Sequence, residues 1–330
     1  MAQRISIVGL GLIGTSLGLA LKKAGVEADI VGYDKNKGNA AHAQRQGGVD
    51  RVARNLPNAV DEAALTILAV PLGAMRQVME EMGKHLPDNG IVTDTGSTKE
   101  QVLRWAEEVL PNGVSFVGGH PMAGKEASGP KAAEATLFAG CVYCIIPSLN
   151  ATQAAVQTVV GLVDLVGARP FFMDATEHDS WVAGVSHLPL ILSAVLVSVT
   201  TGDRAWREMS KLAASGYRDV TRLASGDPEM GRDICLTNRD SLLRWIDSYL
   251  EELGEYRRLV SEGGDGLLTR LTGARGARER WLYQRELPET PRVEVASFRQ
   301  TISEMFLGQL TRRGEEILKR LEGKAKEGPP

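Results

Sequence analysis

Three sets of residues in the sequence have the types and spacing to do chemistry. The first is Gly9-Leu10-Gly11-Leu12-Ile13-Gly14, which follows an apolar strand-like run and opens a helical one. In that setting Gly9 permits a tight turn, Gly11 lets the backbone approach a pyrophosphate, and Gly14 allows a helix to pack closely on a strand. A helix opening at Leu12 and Ile13 offers its free N–H groups and positive dipole end to phosphates. Asp34 ends the following strand, 20 residues after Gly14. An acid at that point accepts from a ribose 2′-hydroxyl and repels a 2′-phosphate, which selects NAD over NADP. Lys35 and Lys37 are the cations that would favour NADP instead.

The second set lies where strands end. Ligands of open parallel sheets bind outside the carboxyl ends of the strands. Val70-Pro71, Asp94-Thr95-Gly96-Ser97 and Gly118-Gly119-His120-Pro121-Met122-Ala123-Gly124 all follow apolar strand-like runs. Val70, Pro71 and Thr95 are therefore expected beside the cofactor. His120 has the residue type of a general base near neutral pH. Its other reading is a loop histidine with a structural hydrogen bond.

The third set is in the second half of the chain. Arg218 and Arg222, four apart and next to Asp219, suit bidentate binding of a carboxylate, or else form a surface ion pair. His187 comes just before Pro189 and reads as a core histidine as readily as a ligand-binding one. His42 and His85 sit on polar helical stretches and read as solvated. His178-Asp179 falls in the first turn of a helix, where capping is the expected role. Cys141 and Cys144 are three apart in a strand-like run, so they point to opposite faces and suit neither a redox pair nor a metal site. No metal is expected.

These residues need elements to hold them. Strand-like runs at 4–8, 29–33, 66–70, 91–94, 115–117, 141–146 and 168–173 alternate with helical patterns at 15–24, 99–109 and 151–166. This alternation predicts βαβ units and an α/β Rossmann domain with a mostly parallel sheet. After Asp174 only helical patterns follow, at 176–201, 205–212, 230–261 and 276–284. The expected division is 1–174 for the Rossmann domain, 175–285 for an all-α domain, and 286–330 for a linker and helical tail. Thr176 with Asp179 resembles a capping box. Pro189 should kink the first helix and free the Val185 carbonyl. The run 188–199 is apolar on nearly all faces, so a subunit partner is expected to bury it.

A net charge of −3 over 330 residues lacks the footprint of a nucleic-acid binder. No apolar segment of a secretory signal follows Met1, and the apolar run 188–200 is shorter than the roughly 20 residues of a membrane span. Three cysteines make no disulfide framework. The reading is a cytoplasmic protein with no membrane partner.

Four segments in order, Asp94–Lys99 (DTGSTK), 118–129 (GGHPMAGKEASG), His178-Asp179 with 186–189 (SHLP), and 216–224 (GYRDVTRLA), resemble the prephenate/arogenate dehydrogenases of tyrosine biosynthesis. The resemblance covers roughly residues 4 to 284, and it implies a Rossmann domain followed by a helical domain that dimerises. It also implies oxidative decarboxylation of a cyclohexadiene, prephenate to 4-hydroxyphenylpyruvate or arogenate to tyrosine. Hydride leaves the ring for NAD, a base takes the hydroxyl proton, and the ring carboxylate departs as CO₂ as the ring becomes aromatic. By position His120 resembles the base, and Ser97 the hydroxyl that hydrogen-bonds both His120 and the substrate. Arg222 resembles the arginine holding a substrate carboxylate. His187 and the residue at 190 are expected at the substrate.

Two positions depart from the pattern. Many members read HLPH where this chain has Leu190, and many carry Trp where it has Gly231. The tail beyond 285 is shorter than the regulatory domain that some members append. Two other readings remain: a Rossmann-plus-helical hydroxy-acid dehydrogenase using a lysine such as Lys211, and a non-catalytic NAD-sensing protein.

Overall fold

The computed structural model describes residues 3–125 and 127–286. An eight-stranded sheet organises the first half, in the order β3-β2-β1-β4-β5-β6-β7-β8. The strands are β1 (Gln3–Val8), β2 (Ala28–Tyr33), β3 (Arg51–Val52), β4 (Ala63–Leu68), β5 (Ile91–Asp94), β6 (Ser115–Pro121), β7 (Val142–Pro147) and β8 (Arg169–Phe172). All neighbours run parallel except β6 and β7, which are antiparallel with His120 opposite Cys144. Helices α1 (Leu12–Lys23), α2 (Lys37–Arg45), α3 (Leu56–Val60), α4 (Leu72–Gly83), α5 (Glu100–Val109) and α6 (Gln153–Leu165) connect them.

Both faces of the sheet are covered, which is why its strands read as continuous apolar runs rather than alternating ones. Ile5 and Ile7 of β1 join one core with Leu17, Leu21 and Val163, while Val8 joins the other with Met75, Met79 and Val92. The two-residue period of a strand sorts them. Between 35 and 90 the sequence reading drew no helix bounds and noted only polar helical stretches at His42 and His85, where the structure has α2, α3 and α4. Met75, Met79 and Met82 are buried along α4 at helical spacing, and that spacing was the available signal. Strand β6 runs four residues further than expected and is buried throughout, so His120 stands on a strand rather than in a loop.

The second half is helical: α7 (Ala175–Val182), α8 (Leu188–Thr201), α9 (Trp206–Met209), α10 (Ser215–Thr221), α11 (Pro228–Thr237), α12 (Arg239–Glu262) and α13 (Asp265–Glu286). The expected helix over 176–201 begins instead at the N-cap Asp174, whose carboxylate accepts from the Glu177 N–H at 2.8 Å. It widens into a π-helical turn at Ala183–His187, and Pro189 falls in the first turn of α8, where a missing N–H costs least. The helix expected over 230–261 breaks at Asn238 into α11 and α12. Residues 287–330, most of the expected linker and tail, lie outside the described residues.

One expectation about length does not hold. Ala175–Thr201 runs 27 residues with an 18-residue window of mean hydropathy 2.0, long and apolar enough to cross a membrane. Its first half is instead packed into the protein: Asp179, on α7, bonds to the head of α5. Along α8 only Leu188 and Ser193 are buried, and Val195 and Val199 are exposed.

Candidate active site

The crevice between β1 and β4, where strand order reverses, holds the glycine-rich turn. Gly9 has φ +93°, and a Cβ there would stand 2.3 Å from the Ala69 carbonyl oxygen. A Cβ on Gly14 would stand 1.9 Å from the Gly9 carbonyl oxygen, whereas one on Gly11 would meet nothing within 4 Å. Two glycines thus close the turn, and the third keeps its outer side open. Helix α1 carries no acidic residue in its first turn and no side-chain cap, so its N–H groups stay available to an anion. Asp34 is anchored beside this turn. Its Oδ2 accepts from the Leu10 N–H at 2.8 Å and its Oδ1 from the Asn36 N–H at 2.7 Å. A carboxylate so placed keeps lone pairs for ribose hydroxyls. These features fit a dinucleotide. Val70 and Pro71 follow β4 on the same side, and Thr95, following β5, is tied to the Leu68 carbonyl by its N–H at 3.0 Å.

Beneath the ends of β5 and β6 sits a buried ion pair between Asp94 and Lys99, both fully enclosed. Asp94 also accepts from the N–H groups of Gly96 (2.7 Å) and Gly119 (3.1 Å), and Lys99 donates to the Gly119 carbonyl at 2.7 Å. Backbone groups thus satisfy what the pair leaves over, as a buried pair requires. The pair fixes the strand immediately before His120.

His120 is buried, and its Nδ1 lies 2.9 Å from Nε2 of His178, with the rings edge to face. His178 Nδ1 lies 2.7 Å from Asp179 Oδ1. The same carboxylate accepts from the backbone N–H groups of Lys99 (2.7 Å) and Glu100 (3.0 Å), capping α5 from the other domain. Asn238, at the break between α11 and α12, donates to the Asp179 carbonyl at 2.7 Å and lies 3.2 Å from His187 Nδ1. Burial and the nearby Lys99 ammonium hold His120 well below the usual histidine value, so its ring is neutral near pH 7. Burial also lowers His187 to about 4, and its Nε2 is enclosed without a hydrogen-bond partner.

The structure departs from the sequence expectations at three points. Ser97 makes no hydrogen bond to His120. Its backbone lies beside His187, and His178 occupies the Nδ1 side of the His120 ring. His178 and Asp179, read as a local cap, are instead partners of His120 and of α5. Arg222 opens a 3₁₀ turn packed on α8 through the Ala224 N–H to Ser193 Oγ bond (2.9 Å), and its side chain is exposed in the single chain. Arg218 and Asp219 are exposed and 3.8 Å apart, as a surface pair would be. Leu190 is half-buried on α8, and its Cδ2 would stand 3.5 Å from a Cβ on Gly231. Among the described residues no group of three His, Cys, Asp or Glu is arranged to hold a metal ion.

Comparison with known proteins matches residues 17–171 to the nucleotide-binding domain of prephenate dehydrogenase and 174–272 to its dimerization domain. The chain is 36% identical to a prephenate dehydrogenase of Bacillus subtilis over 264 residues, 79% of this chain and 71% of that one. The chain belongs to the prephenate dehydrogenase family. It is also 32% identical to a cyclohexadienyl dehydrogenase of Zymomonas mobilis, covering 84% of this chain and 95% of that protein. Two solved structures superpose on it. One is a prephenate dehydrogenase from A. aeolicus in complex with hydroxyphenyl propionate and NAD+, with TM-score 0.79 and 27% identity over 85% of this chain and 98% of that one. The other is Synechocystis arogenate dehydrogenase, with TM-score 0.72 and 28% identity over 84% and 100%. The match to the nucleotide-binding domain begins within α1, just after the glycine-rich turn, and the match to the dimerization domain opens at the N-cap of α7, which carries His178 and Asp179.

Proposed function

We propose that this protein oxidises and decarboxylates prephenate or arogenate with NAD, using His120 as general base. The observation that carries this reading is the placement of His120. It is buried and neutral at the carboxyl end of β6, the end of the parallel strands at which the glycine-rich turn also lies. A general base must be unprotonated at working pH, and the lowered affinity of His120 for protons provides that. NAD, when bound, supplies the hydride acceptor. His120 takes the hydroxyl proton, Ser97 offers a hydroxyl to the substrate, and Arg222 and His187 bind it, the guanidinium matching a carboxylate in a fork. Asp34 supports NAD as the nucleotide.

Residues 1–174 form the nucleotide domain in this reading, and 175–285 form the helical domain that pairs with a second copy. The exposed apolar side chains of α8 and α12, among them Val195, Val199, Leu253 and Val260, support a homodimer. The same reading places the enzyme in the cytoplasm. Lys211, on which a hydroxy-acid dehydrogenase would rely, is exposed and paired with Glu208, which supports the cyclohexadiene reading over that one. The test is an assay of NAD and NADP reduction with each cyclohexadiene. Turnover of at least one with NAD is expected. Nucleotide binding without turnover of either would overturn the proposal.

A further inference from the structure

His178 and Asp179 stand in line behind His120, and the hydrogen bonds at the far end of that line determine where its protons lie. All three side chains are buried, with exposures of 0% for His178, 2% for Asp179 and 8% for His120. Asp179 Oδ1 faces the Lys99 N–H as well as His178 Nδ1, and Oδ2 faces the Glu100 N–H. A carboxylate gripped by two backbone donors acts as an acceptor, so His178 Nδ1 carries a proton. In the neutral His178 ring, Nε2 is then a lone pair. The group facing it at 2.9 Å, His120 Nδ1, must be the donor. That leaves His120 Nε2 without a proton.

We propose that Asp179 and His178 are positioning residues that lock His120 in the Nδ1–H tautomer and so make Nε2 its proton-accepting atom. The inference rests on His120 being the base. In the reaction step the substrate O–H bond breaks and a His120 Nε2–H bond forms. The imidazolium keeps its Nδ1–H bond to His178, which is backed by the Asp179 carboxylate, and the proton leaves to solvent once product departs. Because the same carboxylate caps α5, the tautomer is set only when the helical domain is docked on the nucleotide domain. The device spans a sequence separation of 80 residues between Lys99 and Asp179.

Asp179→Asn is the decisive variant. With its oxygen on the Glu100 N–H, the amide turns its NH₂ to His178 Nδ1, which gives up the Lys99 N–H bond and reverses the line. His178 then carries its proton on Nε2, and His120 carries its own on Nε2, where it blocks the reaction. Expected is a fall in kcat of about 10² to 10⁴, as when a buried carboxylate orienting a catalytic histidine becomes an amide. KM and the NAD dissociation constant should stay within about threefold of wild type, because only a transition-state interaction is lost. Nitrogen NMR of the imidazoles should show His120 protonated at Nδ1 in wild type and at Nε2 in the variant.

A second comparison covers the case in which Asp179→Asn does not fold. His178→Gln retains an acceptor for His120 and a donor for Asp179, whereas His178→Leu retains neither. The Gln variant should keep about tenfold more kcat than the Leu variant, the scale of one hydrogen bond lost in the transition state. Wild-type kcat in Asp179→Asn with the His120 proton moved to Nε2, or equal activity in the two His178 variants, would overturn the lock. An active His120→Asn would instead remove the base itself. An inactive His120→Asn beside unaffected Asp179 and His178 variants would sink the lock alone.

Discussion

The carboxylate of Asp233, on α11, accepts a hydrogen bond from the backbone N–H of Gly73 at 2.9 Å, joining the helical domain to the first turn of α4. Helix α4 begins directly after the end of β4, and its own N-cap is Pro71, which has no side chain able to cap it. Asp233 supplies that cap from the other domain, held in place by Arg232 at 2.6 Å. A Cβ on Gly73 would stand 2.5 Å from Asp233 Oδ2, so any larger residue must displace the carboxylate.

Gly73→Ala should therefore cost about 1 kcal/mol or more of stability, the usual worth of a cap, and Asp233→Ala about the same. The two changes remove one interaction, so the double variant should lose little more than the worse single one. Urea unfolding of the three variants measures this. Strictly additive losses would show that Gly73 and Asp233 act independently.

His120→Asn should lower kcat by about 10² to 10⁴ with little change in NAD affinity. The pH profile adds a second reading. The groups around the ring are His178, Lys99 and His187, with Asp94 paired to Lys99, Asp179 behind His178, and the buried Tyr143 phenol across the sheet near Gly119. Burial and the Lys99 charge depress the proton affinity of His120. A base is lost as pH falls through its pKa, and kcat/KM reports the free enzyme. The acid limb of kcat/KM should then lie below about 6.5, the ordinary histidine value. A retained kcat in the variant, or an acid limb above that value in wild type, would remove His120 from the mechanism.

The nucleotide turn was legible in the sequence because every part of it is local: β1, the three glycines and α1 are consecutive, and Asp34 ends the adjacent strand. The line behind His120 was not. Asp179 has the spacing of a cap to Thr176, and nothing in the sequence tells that its carboxylate faces α5, which lies in the other domain. The Asp94–Lys99 pair stands in plain view as DTGSTK, yet its role depends on Gly119, which β6 brings alongside. A Ser97–His120 hydrogen bond was expected through resemblance alone; the bond formed at the His120 Nδ1 is instead to His178. The all-round apolar run 188–199 pointed to a surface needing cover, and in the single chain Val195 and Val199 are exposed.

Asp34→Ser should narrow or reverse the preference for NAD over NADP. Each carboxylate oxygen already accepts a backbone N–H, so the charge is held in place beside the turn rather than free to swing away from a 2′-phosphate. Serine retains an acceptor but no charge, and Lys35 and Lys37, both exposed, are then unopposed. The ratio of kcat/KM for the two nucleotides in wild type and variant measures the effect. A wild-type enzyme that already uses NADP better would show that the lysines outweigh Asp34.

The last prediction concerns Leu190 and Gly231, the two positions that depart from the family pattern. They adjoin: a Cβ on Gly231 would stand 3.5 Å from Leu190 Cδ2. Replacing a histidine and a tryptophan with leucine and glycine thus opens one apolar corner rather than making two unrelated changes. Prephenate carries a keto acid side chain, which accepts hydrogen bonds, while arogenate carries an ammonium, which donates and is positive. A histidine at 190 donates to the keto acid and, when protonated, repels the ammonium; leucine does neither. Losing a donor to a buried acceptor costs about 1 to 3 kcal/mol, or roughly 5- to 150-fold in kcat/KM. The enzyme should therefore accept arogenate at least as readily as members of the family with histidine at this position. Leu190→His, for which the bare Gly231 leaves room on one side, should shift the kcat/KM ratio towards prephenate. Strict specificity for prephenate in wild type, or a ratio unmoved by the substitution, would show that another group has taken over recognition of the side chain while leaving the reaction itself in place.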